Sequence, residues 1–168
     1  MLQYRRILVP VDFSPSCDRA LNMACTLATE FQAELHLLYV KEDLHFVFPE
    51  PGMPTWGTGE FLAHQAEIAA AKLAVLPDDD NYKQLKVVRQ CRDGSAGTEI
   101  TNYAVSENID LIVMGTHGRG IITRLVLGSV AAHVVRTAPC PVMTVCDRNR
   151  NSHDINRESQ HEHSTVSE

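Results

Sequence analysis

Short apolar runs alternate with helical apolar patterns along most of the chain. Five runs have the length and the Val, Ile and Leu content of strands, at residues 7–11, 34–40, 85–91, 109–114 and 142–146. Between them, apolar positions recur every three or four residues, as in amphipathic helices, at residues 17–31, 61–76, 98–107 and 130–135. Strands that alternate with helices predict an α/β domain with an open five-stranded parallel sheet and helices on both faces.

Two segments depart from this alternation. Residues 41–59 are rich in proline, glycine and aromatic side chains without a period, which predicts a long loop, either a lid over a site or an irregular insertion. Residues 147–168 are polar, so we expect a disordered tail after a domain that spans residues 1–146. The histidines of this tail could form at most a weak, adventitious metal site.

Composition narrows the class of protein. A chain of 168 residues with 44% apolar content is typical of one soluble domain. A net charge of −6 without a basic cluster argues against a nucleic-acid binder. The five cysteines form no CxxC pair, which is typical of a reducing compartment. No signal peptide and no apolar run of membrane-spanning length are recognisable, so we expect a cytoplasmic protein that does not enter a membrane.

The predicted sheet directs attention to the carboxyl ends of its strands, where open α/β sheets bind ligands. Three of these ends are Asp12, Val40 and Gly115. The fourth strand is followed by a glycine-rich loop and then by Gly128-Ser129 at a helix start. Glycines let backbone N–H groups approach a phosphate, and a helix N-terminus favours an anion. The sequence therefore predicts a phosphate-binding site after the fourth strand.

Two common phosphate motifs can be excluded. A P-loop requires G-x-x-x-x-G-K-S/T, but no lysine follows any of these glycines. A dinucleotide fingerprint requires G-x-G-x-x-G after the first strand, which here ends in Asp12-Phe13-Ser14. The spacing present is G-x2-G-x9-G-S, from Gly115 to Ser129. Arg119 and Arg124 lie within it, either as positive charge for a phosphate or as surface side chains.

Four segments resemble the universal stress protein family: ILVPVDFS at 7–14, DLIVMGTHG at 110–118, LGSV at 127–130 and CPVMTV at 140–145. The resemblance extends from about Tyr4 to Cys146. The spacing G-x2-G-x9-G-S/T is the mark of the family's ATP-binding branch. The resemblance implies an adenine nucleotide alpha hydrolase-like, Rossmann-like fold that binds ATP, together with Mg²⁺ or Mn²⁺ on the phosphates. No protein ligand for that ion and no catalytic residue are evident.

The resemblance also implies which residues meet the nucleotide. The first strand would form part of the wall and contact the ribose, the end of the second would meet adenine, and the glycine loop with the last helix would hold the phosphates. The implied residues are Pro10, Val11, Asp12, Val40, Met114, Gly115, Thr116, His117, Gly118, Arg119, Gly128, Ser129 and Val130.

Simpler interpretations stay open for three of these positions. Asp12 could only cap the turn after the first strand, Gly128-Ser129 could only begin a helix, and His117 could be an exposed loop residue. For the whole chain, the resemblance implies a nucleotide-dependent stress sensor or regulator with an unknown protein partner. It also implies a homodimer, paired through the edge strand Val142–Val145. The alternatives are a slow ATPase or a nucleotidyl- or phospho-transferase, or a dimeric adaptor whose site is idle.

Overall fold

The computed structural model of the protein describes residues 3–41, 58–116 and 127–146. Strands and helices alternate along these residues. The strands are β1 (Arg6–Val11), β2 (Glu34–Lys41), β3 (Val87–Asp93), β4 (Leu111–Gly115) and β5 (Val142–Val145). The helices are α1 (Pro15–Phe31), α2 (Thr58–Val75), α3 (Ala96–Ser106) and α4 (Ser129–Thr137). The expected tail lies outside the described residues, so the domain boundary at 146 stays a prediction.

The five strands form one parallel sheet in the order β3-β2-β1-β4-β5. The chain moves outward from β1 to β2 and β3, and then returns to the other side of β1 to form β4 and β5. The direction of winding therefore reverses between β1 and β4, which makes their carboxyl ends the switch point of the sheet. This order confirms the predicted open parallel α/β sheet.

Two apolar layers cover the two faces of the sheet. Along β1, Ile7 and Val9 pack with α1 and α2, whereas Leu8 packs with α3 and α4. This alternation follows from the two-residue period of a strand, and it buries β1 on both faces. Helices thus cover both faces, as predicted. Within the described ranges, no helix combines the length and apolarity needed to cross a membrane.

The chemistry of Ser14-Pro15 accounts for the start of helix α1. Ser14 is its N-cap, with an extended backbone, and its hydroxyl accepts a hydrogen bond from the Cys17 N–H at 3.2 Å. Pro15 occupies the first turn, where a missing N–H costs nothing. The helix ends at Gln32, whose left-handed backbone (φ 53°) closes the last turn. Its buried face includes Cys17, Ala20, Leu21, Ala24 and Ala28, which lie within the predicted helical pattern at residues 17–31.

Some boundaries differ from the predictions for local reasons. Strand β3 begins at Val87 instead of residue 85, because the Leu85 N–H is held by the Tyr82 carbonyl (3.0 Å) in the turn after a short 3-10 helix. Strand β4 begins two residues later than predicted, because the Ile109 N–H closes α3 on the Ala104 carbonyl (3.0 Å). Helix α2 begins at Thr58, three residues earlier than predicted. Ile68, which the helical spacing at residues 61–76 predicts to face inward together with Ala69 and Leu73, is exposed, whereas the other two are buried.

Candidate functional site

Three strand ends lie side by side at the switch point. Strand β1 pairs with β2 through Val11 and Tyr39, and with β4 through Leu8 and Ile112. Continuing both registers by parallel steps places Asp12 level with Val40 on one side and with Thr116 on the other. The predicted first-strand residues therefore lie beside those of the second and fourth strands: Pro10, Val11, Asp12, Val40, Met114, Gly115 and Thr116.

The N-terminus of α4 is attached to the end of β4. The Gly128 N–H donates to the Thr116 carbonyl at 2.9 Å, and the Thr116 N–H donates to the Val145 carbonyl at 3.2 Å. Gly128 is the N-cap of α4 and supplies no capping side chain. The first-turn N–H groups of a helix, here those of Ser129 and Val130, have no acceptor within the helix. They lie beside the switch point, where they favour an anion.

Gly115 lies where β4 meets the start of α1. A Cβ atom at this position would be 2.7 Å from the Ser16 Oγ, 3.0 Å from its Cβ and 3.1 Å from its backbone carbon. Only glycine fits this approach, because real Cβ atoms essentially never come within 3.0 Å of such neighbours. Gly115 therefore has a packing role in addition to the phosphate-turn role that its motif suggests.

The Asp12 side chain is held in the turn between β1 and α1. Its Oδ1 accepts two hydrogen bonds from Ser14, one from the backbone N–H at 2.9 Å and one from the hydroxyl at 2.7 Å. Phe13 has φ 59°, a left-handed conformation that brings Ser14 back over the carboxylate. Asp12 therefore does cap the turn after β1, as the simpler interpretation held, and this contact does not decide whether it also binds a ligand. The same contacts orient a half-buried carboxylate at the switch point.

Sequence reasoning missed part of this turn. Neither the donation from Ser14 to Asp12 nor the nearby Ser16 was among the predicted features of the site. Ser16 is 7% exposed and its hydroxyl lies 3.0 Å from that of Ser14. Serines on both sides of Pro15 were the available signal, since a first-turn serine can bond to neighbouring side chains.

Cys17 is the thiol nearest to the turn, and its environment keeps it protonated. Burial raises the pKa of Cys17 to about 11, and the nearby carboxylates of Asp12 and Asp18 act in the same direction, while backbone hydrogen bonds at residues 12 and 13 oppose them. Its Sγ donates to the Pro10 carbonyl at 3.7 Å. A thiol with a raised pKa is a poor nucleophile at neutral pH. Cys17 therefore contributes packing and gives no support to covalent catalysis.

Several predicted residues lie outside the described ranges. They are His117, Gly118 and Arg119 of the glycine loop, together with Arg124, most of the 41–59 segment and the histidines of the tail. Across residues 3–41, 58–116 and 127–146, no group of three or more His, Cys, Asp and Glu side chains could hold a metal ion. The described side chains therefore offer no ready-made ligand set for the divalent ion that the resemblance implies.

Comparison with known proteins agrees with this arrangement. The model described as "Universal stress protein family" matches residues 3–145. A universal stress protein of Methanocaldococcus jannaschii is 33% identical over 146 residues, which are 84% of this chain and 82% of that protein. The solved structure of the universal stress protein UspA from Lactobacillus plantarum has a TM-score of 0.70 and 30% identity, and the match covers 86% of this chain and 99% of that one.

Two more distant structures contain nucleotides. A universal stress protein in complex with cAMP has 22% identity and a TM-score of 0.64, covering 86% of this chain and 98% of its own. The universal stress protein from Archaeoglobus fulgidus in complex with dAMP has 18% identity and a TM-score of 0.56, and the match covers 86% of this chain and 99% of that one. At these identities the likeness to this chain is one of fold.

Proposed function

Because this chain belongs to the universal stress protein family, we propose that it binds ATP at the switch point between β1 and β4. One observation carries the proposal: the 2.9 Å hydrogen bond from the Gly128 N–H to the Thr116 carbonyl. It joins the two halves of the G-x2-G-x9-G-S motif and sets the α4 N-terminus beside the ends of β1 and β4. The adenine nucleotides bound by two proteins of the same fold support the ligand class.

The parts of ATP divide among the strand ends. Adenine lies against the backbone at Val40, and the ribose lies beside the Asp12 carboxylate. The first-turn N–H groups of Ser129 and Val130 hold phosphate, where the helix dipole favours negative charge. Pro10, Val11 and Met114 form part of the wall around the nucleotide. Mg²⁺ or Mn²⁺ would accompany the phosphates and neutralise part of their charge.

A thermal-melt titration tests nucleotide binding. A ligand present at about 100 times its Kd stabilises the native state by about 2.7 kcal/mol. At about 2–4 °C per kcal/mol for a domain of this size, we expect ATP with Mg²⁺ to raise Tm by about 5–10 °C. Chromatography of the supernatant from heat-denatured protein should also show whether adenine nucleotide accompanies the purified protein.

Two matched variants separate binding from folding. Gly128→Val places a branched side chain at the N-cap of α4, whereas Ser95→Val makes a similar change at the N-cap of α3, which also lacks a side-chain capping bond. We expect the ATP-dependent shift to disappear in the first variant and to persist in the second. Absence of any shift with wild-type protein at millimolar ATP would contradict the proposal and favour an adaptor with an idle site.

We further propose that the protein is a cytoplasmic homodimer and that nucleotide binding regulates its affinity for a protein partner. The dimer forms through β5, which stands at one end of the strand order and has β4 as its strand neighbour within the described chain. Its side chains are partly exposed, including Met143 at 38%. Such an edge can pair with a second copy across a two-fold axis.

Analytical ultracentrifugation tests the proposed dimer. Thr144→Pro removes a backbone donor from β5, so it should shift the protein from dimer to monomer. Cys91→Pro makes the equivalent change on β3 at the opposite edge, since the parallel register directs its N–H away from the neighbouring strand, and it should leave the dimer intact. Monomeric wild-type protein at micromolar concentration, or equal effects of the two prolines, would exclude pairing through β5.

A further inference from the structure

The carboxylate of Asp12 has one oxygen that is fixed at two points by a single residue. Oδ1 accepts from the Ser14 N–H at 2.9 Å and from the Ser14 hydroxyl at 2.7 Å. The second bond is short, as expected for a hydroxyl that donates to an ionised acceptor. Two donors at different positions restrict rotation of the carboxylate about its Cβ–Cγ bond. Ser14 therefore contributes two of the contacts that determine the direction in which Asp12 faces at the switch point.

The Ser14 hydroxyl can hold this direction because its own hydrogen bonds are complete. A hydroxyl has one proton and two lone pairs. The proton goes to Asp12, and the lone pairs accept from the Cys17 N–H at 3.2 Å and from the Ser16 hydroxyl at 3.0 Å. Ser14 is 4% exposed, so water does not compete for these bonds. The donor to Asp12 is thus pre-oriented by the first turn of α1.

The backbone conformation of Phe13 also favours the contact between Ser14 and Asp12. Phe13, between Asp12 and Ser14, has φ 59°, which is unfavourable for a residue with a side chain. Its ring packs on that of Tyr39, with centroids 5.5 Å apart. Strained backbone that surrounding contacts maintain is common at functional sites. Here the turn folds Ser14 onto Asp12 at the strand end that faces the proposed nucleotide.

We infer that Ser14 is a positioning residue: through its hydroxyl it aims the Asp12 carboxylate at the ribose hydroxyls of the bound nucleotide. The inference rests on the proposed ATP site and names the group that sets ribose recognition within it. A purely structural Ser14 would cap α1 and affect every ligand equally. A positioning Ser14 affects the ligands that carry ribose hydroxyls.

Three substitutions at position 14 distinguish the two roles of the side chain, as N-cap of α1 and as hydrogen-bond donor to Asp12. Ser14→Thr keeps both, Ser14→Ala removes both, and Ser14→Gly removes the hydroxyl while retaining most of the N-cap preference. The readout is the Kd for ATP and for 2′,3′-dideoxy-ATP, which lacks both ribose hydroxyls, measured by calorimetry with Mg²⁺. Tyr103→Phe is the stability control, because it removes a buried hydrogen bond to His36 on the opposite face of the sheet.

We expect Ser14→Gly and Ser14→Ala to weaken ATP binding about tenfold and dideoxy-ATP binding less than twofold, since a hydrogen bond to a charged group is at stake. Ser14→Thr and Tyr103→Phe should keep the wild-type ratio of the two Kd values. In an Asp12→Ala background, Ser14→Gly should change neither Kd further.

Two results overturn the inference in distinguishable ways. If the wild type binds no adenine nucleotide, the proposed function fails and the role of Ser14 fails with it. If the wild type binds ATP but Ser14→Gly leaves its Kd unchanged, or weakens both ligands equally, only the positioning role fails. The positioning role also fails if Ser14→Gly weakens ATP binding in the Asp12→Ala background as much as it does in the wild-type protein.

Discussion

Adding one methyl group at Gly115 should disturb both the fold and the site. The nearest ordinary contact distance is 3.4 Å, so an alanine Cβ at 2.7 Å from the Ser16 Oγ is 0.7 Å too close. A rotamer change could move the hydroxyl, but the Ser16 backbone carbon at 3.1 Å is still 0.3 Å too close. The first turn of α1 must therefore shift away from β4. Overpacking of this kind costs about 1–3 kcal/mol.

The cost should be visible in a melting curve. At about 2–4 °C per kcal/mol for a domain of this size, Gly115→Ala lowers Tm by about 2–12 °C. Because Asp12 is held by Ser14 in the same turn, the shift of α1 should also weaken ATP binding. Urea denaturation and calorimetry with ATP measure the two effects on one preparation.

A double-mutant cycle attributes the cost to Ser16. Ser16→Gly removes the Oγ and Cβ that meet the new methyl group but keeps the backbone carbon, so it should recover part of the stability lost by Gly115→Ala, even though it is destabilising alone. Two results would refute this reasoning. One is a Gly115→Ala protein with the wild-type Tm and unfolding midpoint, and the other is strict additivity of the two substitutions.

Two further predictions concern the α3 side of the sheet. Burial, with smaller contributions from Arg6 and Lys86, lowers the pKa of His36, while Glu34 and Glu107 oppose the shift. Below about pH 6.5 the unfolded chain therefore binds a proton that the native state does not, and stability should fall as pH falls from about 7 to 5.5. Urea unfolding across this range should give a flatter profile for His36→Gln, and equal slopes would contradict the assignment. Gly97→Ala places a Cβ 2.8 Å from the His133 Cδ2 and should cost about 1–3 kcal/mol, with His133→Ala restoring part of it.

Most of the fold was predictable because its signals are local. Apolar runs of strand length and helical periodicity depend on near neighbours in the chain, and Ser14-Pro15 marks a helix start by its own chemistry. The boundary errors arose where a backbone group had a better partner outside the ladder. Leu85 bonds to the Tyr82 carbonyl and Ile109 to the Ala104 carbonyl, and neither partner is visible in an apolar pattern.

The members of the candidate site could be proposed from the sequence, but the contacts among them could not. The spacing from Gly115 to Ser129 identified two halves of a motif, and the rule for parallel sheets directed attention to Asp12 and Val40. The role of Ser14 towards Asp12 could not be derived in the same way. A serine before a proline is equally a helix cap, and only the left-handed turn at Phe13 directs its hydroxyl onto the carboxylate.

The sequence by itself determined the α/β alternation, the buried strands and the family, because local periodicity and short motifs are sufficient to infer them. Only the tertiary structure decided the strand order, which puts β1 and β4 side by side and sets Asp12 level with Thr116. It also decided why residue 115 is glycine, since Ser16 approaches from a different element. Contacts between elements depend on distances in space that spacing along a chain does not encode.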